Sequence, residues 1–182
     1  MIQNILPLTK IRLDILSELY VEPLQGKDIA LKIGRKVQVT HNTLSDMKEI
    51  LTKEKGLYSI NQEYILFLEK ILLRYLLERR LGIYFASLQY IKKYYEVEEM
   101  ILFGSYFRGD SDSDSDVDIY IISKDTSISK LGQRLSKIYK KQFQLVCVHP
   151  QEHLTKNDTF SDLYKSISTN RSKGIKVDLD IL

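Results

Sequence analysis

The stretch 102–122, LFGSYFRGDSDSDSDVDIYII, decides how the chain is read. An apolar run from Met100 to Phe103 meets Gly104 and Ser105, a polar loop follows, and then Asp116 and Asp118 stand at the head of a second apolar run. That order reads as strand, turn, loop, strand. Side chains alternate along a strand, so Asp116 and Asp118 point to one side, about 7 Å apart along the backbone, and Val117 points into the core. Two carboxylates on one side suit a hard divalent cation such as Mg²⁺, which takes oxygen ligands and keeps waters that a phosphate can replace. Gly104 lets backbone approach a phosphate closely, and Ser105 offers a hydroxyl and an N–H to its oxygens. The chemistry expected of this set is metal-assisted nucleotidyl transfer.

Gly104-Ser105, Arg108-Gly109 and Ser115-Asp116-Val117-Asp118 resemble, in order and spacing, the signature of the DNA polymerase β-like nucleotidyltransferase superfamily, most closely its small, minimal members. The resemblance covers roughly the second half of the chain. It implies a small mixed sheet with flanking helices over residues 97–182. It also implies a nucleoside triphosphate bound by Gly104, Ser105, Arg108 and Ser115, with Mg²⁺ on Asp116 and Asp118, the catalytic pair. The family pattern asks for a third carboxylate on a later strand. Where relatives carry Asp, the strand Phe143 to Val148 carries Gln144. Gln can offer an oxygen to a metal but takes no proton from a nucleophile at pH 7. Asp112, Asp114, Asp178 and Asp180 are the acids that could substitute for it in space.

Two functions follow. One is an enzyme that moves a nucleoside monophosphate from a triphosphate to a hydroxyl of a protein or a small molecule; a protein acceptor would give it an antitoxin-like role by analogy with small family members. The other is a transcriptional regulator whose nucleotidyltransferase-like half binds nucleotide without turning it over, a reading that Gln144 favours.

Composition sets the frame. The 182 residues, 43% hydrophobic and 28% charged, fit a globular protein of one ordinary or two small domains. No apolar run approaches the roughly 20 residues of a membrane span. The start, MIQNILPLTK, lacks the basic segment and long apolar core of a secretory leader. Cys147 is the single cysteine, which rules out an intrachain disulfide and fits a cytoplasmic protein. A formal charge of +3 permits nucleic-acid binding without demanding it.

Ahead of the decisive stretch, apolar residues at helical spacing predict a helix over Leu8 to Tyr20, a short one from Lys27 to Ile33 ended by Gly34, and a third beginning near Thr40, whose hydroxyl would cap it. Leu44, Met47, Ile50 and Leu51 would be its buried side. Leu57 to Ile60 and the residues around Tyr64 read as a hairpin turning at Asn61-Gln62-Glu63. Residues 1–65 therefore resemble a winged helix-turn-helix, giving an α+β chain with that module first and the small mixed-sheet nucleotidyltransferase domain after it. In such modules the third helix enters the major groove of double-stranded DNA. Carried over by position, His41, Asn42, Ser45 and Lys48 would face DNA, with Arg35, Lys36, Lys53 and Lys55 on phosphates. Asn can read adenine bidentately.

Residues 66–96 read as a helical connector. Leu68, Ile71, Leu72, Tyr75 and Leu76 form a wide stripe there, and because a two-fold operator needs a dimer, they are the expected homodimer contact. Ile83 to Tyr95 continues as helix. Ile128, Leu131, Leu135 and Ile138 mark a crossover helix, Ser161 to Thr169 a later one, and Ile175 to Leu182 a last edge strand.

Overall fold

The computed structural model describes residues 7–153, 159–169 and 173–182. The opening residues read above for a leader thus lie partly outside the described ones. Contacts divide the chain into two units, Met1–Leu76 and Leu77–Leu182. No helix among the described residues is long and apolar enough to cross a membrane.

The first unit runs α1 (Lys10–Val21), β1 (Leu24–Gln25), α2 (Gly26–Lys32), α3 (Val37–Asp46), β2 (Leu51–Glu54), β3 (Leu57–Ile60) and the start of α4 (Gln62–Leu81). The strands form one antiparallel sheet in the order β1-β3-β2. Ile15, Leu16, Ile29, Leu44, Met47, Ile50, Leu68 and Leu72 fill its core, each almost wholly buried. Two acids of α1 are buried with polar company. The Tyr75 hydroxyl donates to Asp14 Oδ1 at 2.8 Å, and Lys32 Nζ stands 3.9 Å from Glu18 Oε2.

Several expectations need correction here. Helix α3 starts at Val37 rather than near Thr40. Thr40 is buried inside it and its hydroxyl donates back to Lys36 O, so it is no cap. The helix also ends at Asp46, and Met47 and Ile50 reach the core from a turn instead. The hairpin lies one strand earlier than expected, pairing Leu51–Glu54 with Leu57–Ile60. Its two turn residues, Lys55 and Gly56, both have positive φ (50° and 85°), as a primed two-residue turn requires. Tyr64 is accordingly helical. Asn61 Oδ1 accepts the Glu63 N–H at 3.2 Å at the start of α4, so the polar run 61–63 opens a helix instead of turning a hairpin.

The second unit continues through a 3₁₀ turn (Gly82–Tyr84), α5 (Phe85–Tyr94), β4 (Val97–Phe103), α6 (Gly104–Arg108), β5 (Val117–Ser123), a second 3₁₀ turn (Thr126–Lys130), α7 (Leu131–Tyr139), β6 (Phe143–Val148), α8 (Pro150–His153), α9 (Thr159–Ser168), β7 (Gly174–Lys176) and a 3₁₀ turn (Leu179–Ile181). Its sheet is mixed, in the order β6-β5-β4-β7. Strand β5 runs antiparallel to β4 and parallel to β6, and β7 pairs antiparallel with β4. Residues 100–102 of β4 and 119–122 of β5 are apolar or aromatic and buried at successive positions, and therefore on both faces of the sheet. Ile101, Tyr120, Ile122 and Val148 pack with Ile167 of α9 on one of them.

The final strand is shorter than its alternation suggests. Pairing stops after Lys176, with Val177 N–H donating to Met100 O at 2.8 Å. Asp178 then caps the 3₁₀ turn by accepting from Asp180 N–H. Ile138, expected inward, is 71% exposed. Tyr139 takes the inward place, 5.6 Å from the Phe143 ring and 5.5 Å from the Tyr84 ring.

Candidate functional site

Gly104 and Asp118 meet where β4 ends. Phe103 is the register partner of Asp118 across the antiparallel pair, so the turn into α6 begins beside that carboxylate. Gly104 has φ +73°, a left-handed conformation that side chains rarely adopt. A Cβ built there would overlap Asp118 Oδ2 and lie 2.9 Å from its Cγ. The glycine is thus required twice, once for the backbone turn and once for the room it leaves the acid.

On the other side of β5, Asp118 is in register with Gln144 of the parallel strand β6. Register partners share a face of the sheet, so Gln144 stands beside Asp118, and it is exposed. Asp116 precedes the strand and, like Asp118, is half-buried. Burial pushes the Asp118 carboxyl above its ordinary range, the nearby charge of Asp116 pushes it further, and the Arg108 guanidinium pulls it back. These three side chains therefore share one electrostatic neighbourhood. Two neighbouring acids, the charge of one felt by the other, suit a hard divalent cation, whose charge relieves their repulsion. Among the described residues, no group of three or more carboxylate, histidine or cysteine ligands forms. Asp112, Asp114, Asp178 and Asp180 do not complete such a set.

Helix α6 presents Ser105 in its first turn and Arg108 in its last. Ser105 is half-buried, and its carbonyl accepts from Gly109 N–H at 2.8 Å and Asp110 N–H at 3.2 Å, which closes the helix. Arg108 is exposed, with Nε 3.1 Å from Asp110 Oδ2. Ser115 has a different engagement from the one expected. Its hydroxyl donates to Asp112 Oδ1 at 2.7 Å and accepts the Asp112 N–H at 2.9 Å, so it serves the loop.

That loop has a builder that the motif reading missed. Asp112 Oδ1 also accepts the N–H groups of Asp114 and Ser115 at 3.0 and 2.8 Å, and these bonds hold its carboxyl below the usual range. Lys141 Nζ donates to the carbonyls of Asp112 and Ser113 at 3.1 and 2.7 Å. Beneath lies an aromatic cluster, with the Tyr84 ring edge-on to Tyr106, Tyr139 and Phe143 at 5.5 to 5.7 Å. It ties α6 to the start of β6. The Asp-Ser alternation is the one sequence signal for the loop; the aromatic cluster has none, because its members lie far apart in the chain.

In the first unit, Arg35, Lys36, His41, Asn42, Ser45 and Lys48 are all exposed, and they lie on α3 or at its two ends. Ser45 Oγ donates to His41 O at 3.0 Å, which commits its proton to the helix. Asn42 Oδ1 accepts from Gln38 Nε2 at 3.0 Å. Gln38 joins the exposed side because the helix begins three residues early, and no capping side chain announces that start.

Residues 88–172 match the family model described as "Polymerase beta, Nucleotidyltransferase". The match spans the whole of β4, α6, β5 and β6, the elements that carry Gly104, Asp116, Asp118 and Gln144. No curated protein and no solved structure matches the chain.

Proposed function

We propose that the second unit is a Mg²⁺-dependent nucleotidyltransferase, moving a nucleoside monophosphate from a nucleoside triphosphate to a hydroxyl acceptor, and that the first unit is a winged helix-turn-helix that binds double-stranded DNA. The observation that carries the enzymatic half is the seating of the Asp118 carboxylate against Gly104, with Asp116 close enough to perturb it, inside the span that matches a nucleotidyltransferase family.

Asp116 and Asp118 would hold Mg²⁺, which when bound neutralises polyphosphate charge and favours in-line displacement at the α-phosphorus. The chain's own part is binding and orientation. Gly104 presents bare backbone to the triphosphate, Ser105 donates its hydroxyl and N–H, and Arg108 adds a cation already within electrostatic reach of Asp118. Gln144 positions by hydrogen bonding and takes no proton, so the acceptor hydroxyl gives its proton to solvent.

That same Gln144 supports a second reading, in which nucleotide is bound and sensed but not transferred, and the DNA-binding unit delivers the output. Incubation with α-phosphate-labelled nucleoside triphosphates and Mg²⁺ separates the two. Transfer of label to an acceptor, lost in Asp116→Ala and in Asp118→Ala, establishes the transferase. Saturable nucleotide binding with no label transferred establishes the regulator, and absence of both removes the nucleotide site.

A further inference from the structure

The α4 stripe expected to make a dimer contact is used up inside the protein, where Leu68, Leu72 and Leu76 are fully buried. A charged surface of the second unit lies open instead. From Thr126 to Gln151 the chain carries Lys130, Arg134, Lys137, Lys140 and Lys141 and no acid. The whole chain has a formal charge of only +3, so the rest of it is net negative, and positive charge is concentrated on α7 and the residues beside its two ends.

Leu131, Gly132 and Leu135 are buried and turn α7 onto β6. Gly132 lets the helix come close, since a Cβ there would lie 3.1 Å from Phe143 O. Ser136 then ties the two elements together, its hydroxyl donating to Gly132 O at 2.7 Å and accepting the Phe143 N–H at 2.9 Å. Arg134 and Lys137 stand on the outer side of the helix, and Lys140 follows at the same three-residue step; all three are exposed. Between the end of α7 and the start of β6, an open groove of about 530 Å³ is lined by Lys137, Lys140 and Lys141 together with Gln133 and Gln142. Lys141 is already committed to the carbonyls of Asp112 and Ser113. The side chains of Arg134, Lys137 and Lys140 make no ion pair or hydrogen bond among the described residues.

Like charges one turn apart on a helix repel, and a chain of phosphates relieves that repulsion by setting one anion on each cation. The groove is concave and takes a body on the order of one or two nucleotides, so it suits an unpaired strand rather than a duplex. Its glutamines add amide donors and acceptors that a base edge can use and that a run of carboxylates cannot fully satisfy. We propose that this groove binds the backbone of single-stranded nucleic acid, with phosphates on Arg134, Lys137 and Lys140 and a base against Gln133 and Gln142. The site is separate from α3 and needs neither Mg²⁺ nor nucleoside triphosphate.

Fluorescence anisotropy of labelled oligo(U) and oligo(dT) of about 12 nucleotides, titrated with the full chain in chelator, tests it. Saturable binding of either probe is the expected result. With three phosphates neutralised, log affinity should fall against log salt with a slope of about −2, roughly a tenfold to twentyfold loss between about 50 and 200 mM. Arg134→Gln, Lys137→Gln and Lys140→Gln should each flatten that slope by about 0.7, while Lys137→Arg should keep it. Lys165→Ala, which removes an exposed lysine from α9 of the same unit, should leave the slope as it is. Because every replaced side chain is exposed, the circular dichroism spectrum should stay the same throughout. Absence of saturable binding overturns the proposal, as does a slope indifferent to the three glutamine replacements. It is equally overturned if a duplex binds through the same three side chains as tightly, or if polyglutamate or tripolyphosphate displaces the strand at matched charge, outcomes that assign the groove to a duplex, an acidic protein or a small polyphosphate.

Discussion

Gly104 and Asp118 are the residues on which the site turns. Replacing Gly104 with Ala strains a backbone at φ +73°, costing about 1 kcal/mol, and drives a methyl into the Asp118 carboxylate. We expect Gly104→Ala to stay folded by circular dichroism but to lose at least about tenfold in Mg²⁺-nucleotide affinity on titration. Asp118 itself supplies a pH test. Its carboxyl lies above the ordinary range, so folding disfavours the charged form. The folded state is favoured at low pH, and that advantage is lost as pH rises through the raised value. In metal-free protein at neutral pH, Asp118→Asn should therefore raise the melting temperature, with the gain disappearing in acid. Mg²⁺ should stabilise the native chain more as Asp118 ionises, and should do little for the variant. A thermal melt against pH, with and without Mg²⁺, reads both. That Gly104 and Asp118 would lie together, with Asp116 near by, was legible in the sequence because a short motif spaces them across two adjacent apolar runs. The loop function of Ser115 was not, since it depends on how Asp112 folds back on three later donors.

Among elements, the strands and helices around the site were legible wherever apolar spacing was unbroken, as in β4, β5 and the buried side of α4. Errors gathered at ends. Helix α3 begins without a capping side chain, so nothing marks Val37 as its start. The hairpin was misplaced because Lys55-Gly56 is a less familiar pair than Asn-Gly for a primed turn, while the polar run 61–63 imitates a loop and in fact begins a helix. The turn geometry gives its own prediction. At φ +85°, Gly56→Ala should destabilise the first unit by about 1 kcal/mol, measured as a lower denaturant midpoint, and leave nucleotide binding by the second unit unchanged. Ile138 marks the limit of periodicity, because in the last turn of α7 a helical stripe cannot say which of two adjacent positions faces in. Tyr139 wins that place through its aromatic neighbours.

For the whole molecule, a family-matched span with paired acids shares a chain with a small unit of helices and a three-stranded sheet that bears exposed basic residues at the start of α3. If α3 reads DNA, duplex affinity should fall with salt. Arg35→Ala and Lys48→Ala should each weaken binding evenly across sequences and reduce the salt slope by about 1, whereas Asn42→Ala should change the preferred sequence. A duplex affinity that ignores all three would assign α3 to another partner. The boundary between the two units falls inside α4, at a place that one unbroken apolar helix leaves unmarked in the sequence. The most direct measurement concerns the acids themselves: calorimetric titration of each ribonucleoside triphosphate into the full chain, with Mg²⁺ and with chelator, for the native protein and for Asp116→Ala and Asp118→Ala. The expected result is Mg²⁺-dependent binding of at least one nucleotide that both substitutions abolish; binding that survives chelator and both substitutions, or no binding at all, contradicts the assignment of Asp116 and Asp118 to a metal-nucleotide site.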